Sequence, residues 1–131
     1  TNKGIQILAD STMLAGIKFL NLERNSIGDE GVTSIAMSPV FSRLTLLNLW
    51  KNEIGPEGAQ AIANSLILGN LQKLDLAHNK IGDTGGKALA ESQTLTSLEY
   101  VDLFGNGIGE ETQGLIKESL NFKNLQHLVL E

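Results

Sequence analysis

The sequence predicts an α/β solenoid, with a parallel sheet of short strands on its concave face and helices on its convex face. Three observations predict it. Leucine pairs alternate with period two, marked residue columns return every 27 positions, and each return passes through an apolar stretch with helical spacing.

The strands come first. The pairs Leu20/Leu22, Leu47/Leu49, Leu74/Leu76, Val101/Leu103 and Leu128/Leu130 each put two apolar side chains on one face of a short extended segment. Equivalent strands one repeat apart run parallel, so a crossover must carry the chain back. The crossover is the helical half, where Ile35, Ile62, Leu89 and Ile116 recur and Ala36, Ala63 and Ala90 let the helix approach the sheet. Phe41 and Phe122 share a column with Leu14, Leu68 and Leu95 and are read as core.

The turns are marked as well. Asn25, Asn52, Asn79 and Asn106 stand where each strand ends and the chain turns inward. An Asn amide both donates and accepts, so stacked repeats make this column a structural ladder for buried backbone groups. Asp29-Glu30, Pro56-Glu57, Asp83-Thr84 and Glu110-Glu111 follow the Ile-Gly pairs and are read as helix-start signals, acids at the positive helix end and Pro at its first position. Ser11, Ser38, Ser65, Ser92 and Ser119 form a further column, expected to be structural, whose partner is not readable.

The unit therefore reads L-x-x-L-x-L-x-x-N-x-I-G-x-x-G, as in LTLLNLWKNEIGPEG at 44–58 and LQKLDLAHNKIGDTG at 71–85. This resembles the leucine-rich-repeat family, nearest its ribonuclease-inhibitor-like class, over essentially the whole chain. The resemblance implies a slice of a horseshoe and, as the family's usual role, binding of another protein; it is specific for fold and nearly silent on function. The expected organisation is one domain, 1–131, with a partial repeat at 1–16, full repeats at 17–43, 44–70, 71–97 and 98–124, and a partial repeat at 125–131. Neither end carries a polar terminal unit, so the chain is expected to be a slice of a longer array or to self-associate end to end through uncapped ends. Thr112 and Lys117 depart from the Gly and Ala of the other units and are read as ordinary variants.

Composition narrows the function. With 41% hydrophobic and 19% charged residues the chain is globular. No run of Lys and Arg exists, which argues against nucleic acid, and a net charge of -5 mildly favours basic partners. No apolar stretch is long enough for a membrane span. Absence of Cys excludes disulfides and thiolate metal sites, and together with a start unlike a signal peptide it favours a cytoplasmic location.

Motif-like strings reduce to the repeat. Gly105-Asn106-Gly107-Ile108-Gly109 lacks dinucleotide-loop spacing, and GDTGGKA at 82–88 has Ile81 where a phosphate loop needs Gly and Ala88 where it needs Ser or Thr. His78 and His127 are not at metal-ligand spacing. Asp75 and Asp102 fall side by side on adjacent strands and are read as solvated carboxylates. No catalytic group, metal or cofactor is expected, and the protein is expected not to be an enzyme.

The informative surface is the open sheet face. Its columns are Phe19, Leu46, Lys73, Tyr100, His127; then Asn21, Asn48, Asp75, Asp102, Val129; then Glu23, Trp50, Ala77, Phe104, Glu131; and, at the strand exit, Arg24, Lys51, His78, Gly105. Of six aromatic residues, Phe19, Trp50, Tyr100 and Phe104 fall here, although burial elsewhere would stabilise more. Trp50 and Phe104 flank Ala77, roughly 10 Å apart from the strand spacing, which suggests a slot. Trp50, Ala77, Tyr100 and Phe104 are thus expected to form an anchor pocket for a partner protein, rimmed by Phe19, Leu46, Lys73, His78 and Asp102. Two other functions compete: a GTPase-activating role, for which only Arg24 and Arg43 are available, and a passive spacer within a larger receptor or effector.

Overall fold

The first member of each apolar pair sits at the centre of a three-residue strand, and the second follows just past its end. The computed structural model describes residues 1–131, in which β1 (Phe19–Asn21), β2 (Leu46–Asn48), β3 (Lys73–Asp75), β4 (Tyr100–Asp102) and β5 (His127–Val129) form one parallel sheet in chain order. The register keeps the repeat period throughout, with Phe19 beside Leu46, Leu46 beside Lys73, Lys73 beside Tyr100 and Tyr100 beside His127.

The helical halves form α1 (Asn2–Ala9), α2 (Asp29–Met37), α3 (Pro56–Ala63), α4 (Gly82–Ala90) and α5 (Glu110–Lys117). Each packs on the next, making a second layer behind the sheet. A continuous core fills the space between the layers, including Leu47 and Leu74 from the strands, Leu49 and Leu76 just past their ends, and Ile35, Ile62 and Leu89 from the helices. Burying a side chain of this kind contributes about 1.5–3 kcal/mol, which is why strands of three residues suffice. Phe41 and Phe122 belong to this core, as their column predicts. The helices stand close: a Cβ on Gly85 would come within 2.9 Å of the Ala59 Cβ.

Three polar ladders join repeat to repeat. The first is the Asn column. Asn52 Oδ1 accepts from the N–H groups of Asn25 and Ile27 at 3.0 and 2.9 Å, while its Nδ2 donates to the carbonyls of Leu22 and Leu49 at 3.0 Å each. Asn79 donates to Leu49 and Leu76, and Asn106 to Leu76 and Leu103, in the same way. Asn25 departs from the expected ladder: it is exposed and its amide donates to the Glu23 carbonyl of its own repeat.

The second ladder gives the Ser column its partner. Ser38, Ser65, Ser92 and Ser119 donate to the carbonyls of Ala9, Ala36, Ala63 and Ala90, at 2.5–2.6 Å. Each hydroxyl thus ties a loop to the end of the preceding repeat's helix.

The third ladder revises the helix-start reading. Asp29 caps not its own helix but the next one, its Oδ1 accepting from Gly55 and Gly58 N–H at 2.7 and 2.9 Å. Asn2 does the same for Gly28 at 2.8 Å and Asp83 for Gly109 at 2.8 Å. Pro56 occupies this column before α4 and has no acceptor to offer. There Gly82 turns to φ +61° and donates to the Asn106 carbonyl, whereas Gly28 and Gly55 stay extended at φ -99°. Thr112 is buried, and its hydroxyl, with the Gly109 N–H, holds the Asp83 carboxyl below the usual aspartate range. No helix is long and apolar enough to cross a membrane.

Candidate functional site

Where the first four strands leave the sheet, an Asn or Asp side chain folds back on its own chain. Asn48 accepts from Trp50 N–H at 2.9 Å, Asp75 from Ala77 N–H at 3.0 Å and Asp102 from Phe104 N–H at 3.0 Å. These turns explain why Asp75 and Asp102 can stand where earlier repeats have Asn21 and Asn48 without change of backbone. The following residue bonds forward: Arg24, Lys51 and His78 N–H donate to the carbonyls of Trp50, Ala77 and Phe104 at 2.9, 2.9 and 2.7 Å. To do so the exit residue adopts the left-handed conformation, with φ +59° at Arg24, +53° at Lys51, +55° at His78 and +70° at Gly105. This conformation costs an L-residue about 1–2 kcal/mol and glycine nearly nothing.

The exits build an aromatic stack. The His78 ring stands edge-on to Trp50, centroids 6.0 Å apart, and edge-on to Phe104, centroids 5.4 Å apart. His78 therefore fills the space between Trp50 and Phe104. The expected open slot is closed, and Ala77, only 3% exposed, is covered and offers no contact surface. Phe104 remains 46% exposed. Arg24 and Lys51 lie on the same Trp50 ring, each charged group 5.8 Å from its centroid. Sequence reasoning placed both residues in the exit column but not in the site; the signal was their position beside Trp50.

The remaining expected site residues assemble elsewhere on the face. Leu46, Lys73 and Tyr100 line a shallow cavity of about 140 Å³ with Asn48 and Asp75. Asp75 is half-buried, which corrects its reading as a solvated carboxylate. Burial pushes its carboxyl above the ordinary value, Asp102 and Glu23 push the same way, and the Ala77 N–H opposes them. The Tyr100 hydroxyl donates to Asp102 Oδ2 at 3.3 Å, and burial followed by the Asp102 charge pushes the phenol up. Phe19 stands 70% exposed on β1, beside Leu46 at the edge of this cavity but outside its lining. Glu131, in the Trp50 column, turns its Oε1 to the N–H groups of Asn106 and Gly107 at 2.7 and 2.6 Å. The expected single pocket is thus two adjoining sites: an aromatic stack with cations at the strand exits and a carboxylate-bearing cavity at the strand centres.

A family model described as "Leucine Rich repeat" matches residues 17–36, 43–63, 70–90 and 94–111. The fold is similar to that of a solved structure titled "Leiomodin-1 Actin-Binding Site 2 (ABS2)", with a TM-score of 0.72 and 18% sequence identity over 99% of this chain and 76% of that one. At that identity the likeness is one of fold. No curated protein matches the chain.

Proposed function

The chain belongs to the leucine-rich-repeat family, and on that premise we propose that it is a protein-interaction module whose partner docks on the open sheet face, centred on Trp50, His78 and Phe104. Its 27-residue unit with a full helix per repeat is nearest the ribonuclease-inhibitor-like class, and residues 1–131 act as one module. The observation that carries the reading is the aromatic stack, which leaves Phe104 46% exposed on a face whose repeats need no aromatic there. Exposed aromatic anchors of this kind dominate binding energies at protein interfaces.

The backbone supports the role physically. Asn52, Asn79 and Asn106 tie strand exits to the next repeat and the Ser ladder ties helix ends to the following loops, so the face is preformed and little ordering entropy is lost when a partner binds. Leu46, Lys73, Tyr100 and Asp102 lie beside the stack as secondary contacts, with Phe19 at the margin. The structural relative named for an actin-binding site makes actin a sensible first protein to try.

The test compares the chain with the double substitution Trp50→Ala, Phe104→Ala, both checked for fold by circular dichroism. Each is used to capture proteins from native lysate and is sedimented with actin filaments. A protein held by the first and lost by the folded second supports the reading. Equal capture by both, or none by either, overturns it and favours a spacer role.

A further inference from the structure

We propose that the strand-exit rim formed by Arg24, Lys51 and His78 around Trp50 receives an acidic polypeptide segment, with one of its carboxylates seated between the two cations. This deepens the reading of the sheet face as a binding surface and rests on it.

The charge arrangement comes first. Arg24 and Lys51 occupy adjacent strand exits and hold their charged groups against one ring, each 5.8 Å from the Trp50 centroid. Two cations on one ring make the potential around it locally positive, and a carboxylate brought to that ring is attracted by both. The carboxylate nearest in sequence does not do this: Glu23 Oε2 accepts from Asn48 Nδ2 at 3.0 Å.

Backbone strain supplies an independent observation. Arg24, Lys51 and His78 all hold φ between +53° and +59°, while Gly105 shows that the same column accepts glycine. Glycine would relieve this strain at Arg24 and Lys51, so their side chains stand there at a conformational cost. Trp50 and Phe104 complete the rim with apolar surface for a neighbouring side chain of the segment.

The same face fixes the segment's path. Asp75 and Asp102 stand side by side two residues before Ala77 and Phe104, at the ends of β3 and β4, and repel a carboxylate placed there. An acidic segment therefore crosses the strands along the rim rather than along the sheet centre. The whole chain carries a net charge of -5, so the attraction is local and salt-sensitive.

Trp50 is the only tryptophan and stands in the site, so its fluorescence reports occupancy directly. The probe is an end-blocked peptide of glutamates around one leucine, titrated into the full chain beside the Gln and Lys versions of the same peptide. The Glu peptide is expected to give a saturable change, weakened about tenfold by Lys51→Gly or Arg24→Gly, the worth of one charged contact. It is also weakened in roughly 1 M salt, where screening acts within about 3 Å. Both glycine variants are expected to melt at or above the wild-type temperature, so loss of binding is not loss of fold. Asp75→Asn is expected to tighten binding.

A Gln or Lys peptide that binds as well as the Glu peptide, or a folded Lys51→Gly that binds unchanged, overturns the proposal. The two readings fail separately. A captured protein that depends on Trp50 and Phe104 but ignores Arg24 and Lys51 removes the acidic segment and leaves the docking face. Capture indifferent to all four residues removes both.

Discussion

The imidazole of His78 rests against the backbone of Gly105, where a Cβ would stand 2.7 Å from Nδ1 and 3.1 Å from Cε1. Gly105 is the repeat equivalent of His78 itself, one strand later. One exit thus lacks a side chain where the preceding exit's ring enters the space between Trp50 and Phe104. The stack depends on a difference between neighbouring repeats, not on their sameness.

Gly105→Ala is therefore expected to destabilise the fold. The methyl group meets the imidazole and the backbone holds φ +70°, which together cost about 1–3 kcal/mol. Urea unfolding gives the loss, and the emission of Trp50 shifts as His78 moves off it. Gly114→Ala is the control: position 114 lies in α5 with open space around it, and alanine there is expected to stabilise by about 0.5–1 kcal/mol. An alanine at 105 that matches wild type in both stability and emission contradicts the packing described.

The cross-repeat caps give a second prediction. Asp29→Ala removes the acceptor of both Gly55 and Gly58 N–H and is expected to cost about 0.5–2 kcal/mol, with faster amide exchange at those two glycines in the following repeat. Asp29→Asn is expected to be nearly neutral, because Asn2 makes the same contact to Gly28. Exchange that quickens only within α2 itself contradicts capping across repeats.

How much of this was legible in the sequence follows from the distances involved. Strand columns were readable because side chains alternate with period two and the 27-residue step stacks like on like; the sheet register agrees residue by residue. The open face, with Trp50 and Phe104 two strands apart, followed from the same two periods. The caps were not readable, because Asp29 sits in the first turn of α2 yet bonds 26 and 29 residues onward, and a local capping rule sees only its own helix. Nor was the closed slot. Column reasoning places Cβ atoms, whereas the position of the His78 ring depends on its left-handed backbone and on the missing Gly105 side chain. Arg24 and Lys51 joined the site for the same reason: long side chains reach from the exit column onto a ring in the next one.

Ser65→Ala tests the hydroxyl ladder. Ser65 Oγ donates to Ala36 O at 2.5 Å and accepts from Ile67 and Leu68 N–H at 3.1 Å each, all with little exposure. Alanine keeps the packing and strands these groups, so the expected loss is about 1–3 kcal/mol. Asn52→Leu is expected to fall in the same range or above it, since the amide serves two carbonyls and two N–H groups at once. Asn25→Leu, at an exposed amide with one partner, is expected to lose less than either. Chemical denaturation of the three variants ranks them, and a Ser65 variant as stable as wild type removes the hydroxyl from the joint.

Asp75→Asn is predicted to raise stability at neutral pH and to lose that advantage in acid. The amide keeps an oxygen for the Ala77 N–H, as Asn48 does for Trp50 N–H. It does so without a charge that burial disfavours and that Asp102 and Glu23 repel. The sign follows from the direction of the shift. The carboxyl titrates in the folded chain above its ordinary value of 3.8, so the folded state binds its proton more tightly than the unfolded state. Stability from that proton is fully present below the unfolded value and is lost as pH rises through the folded one. Wild type and Asp75→Asn are therefore expected to converge in melting temperature as pH falls below 3.8 and to separate above it, with the variant higher. Melting curves of both proteins across that range decide the matter. A gap that stays constant with pH, or a variant less stable at neutrality, means that Asp75 is held by a favourable contact stronger than its burial, and the sheet centre is then a place where a negative charge is stabilised rather than endured.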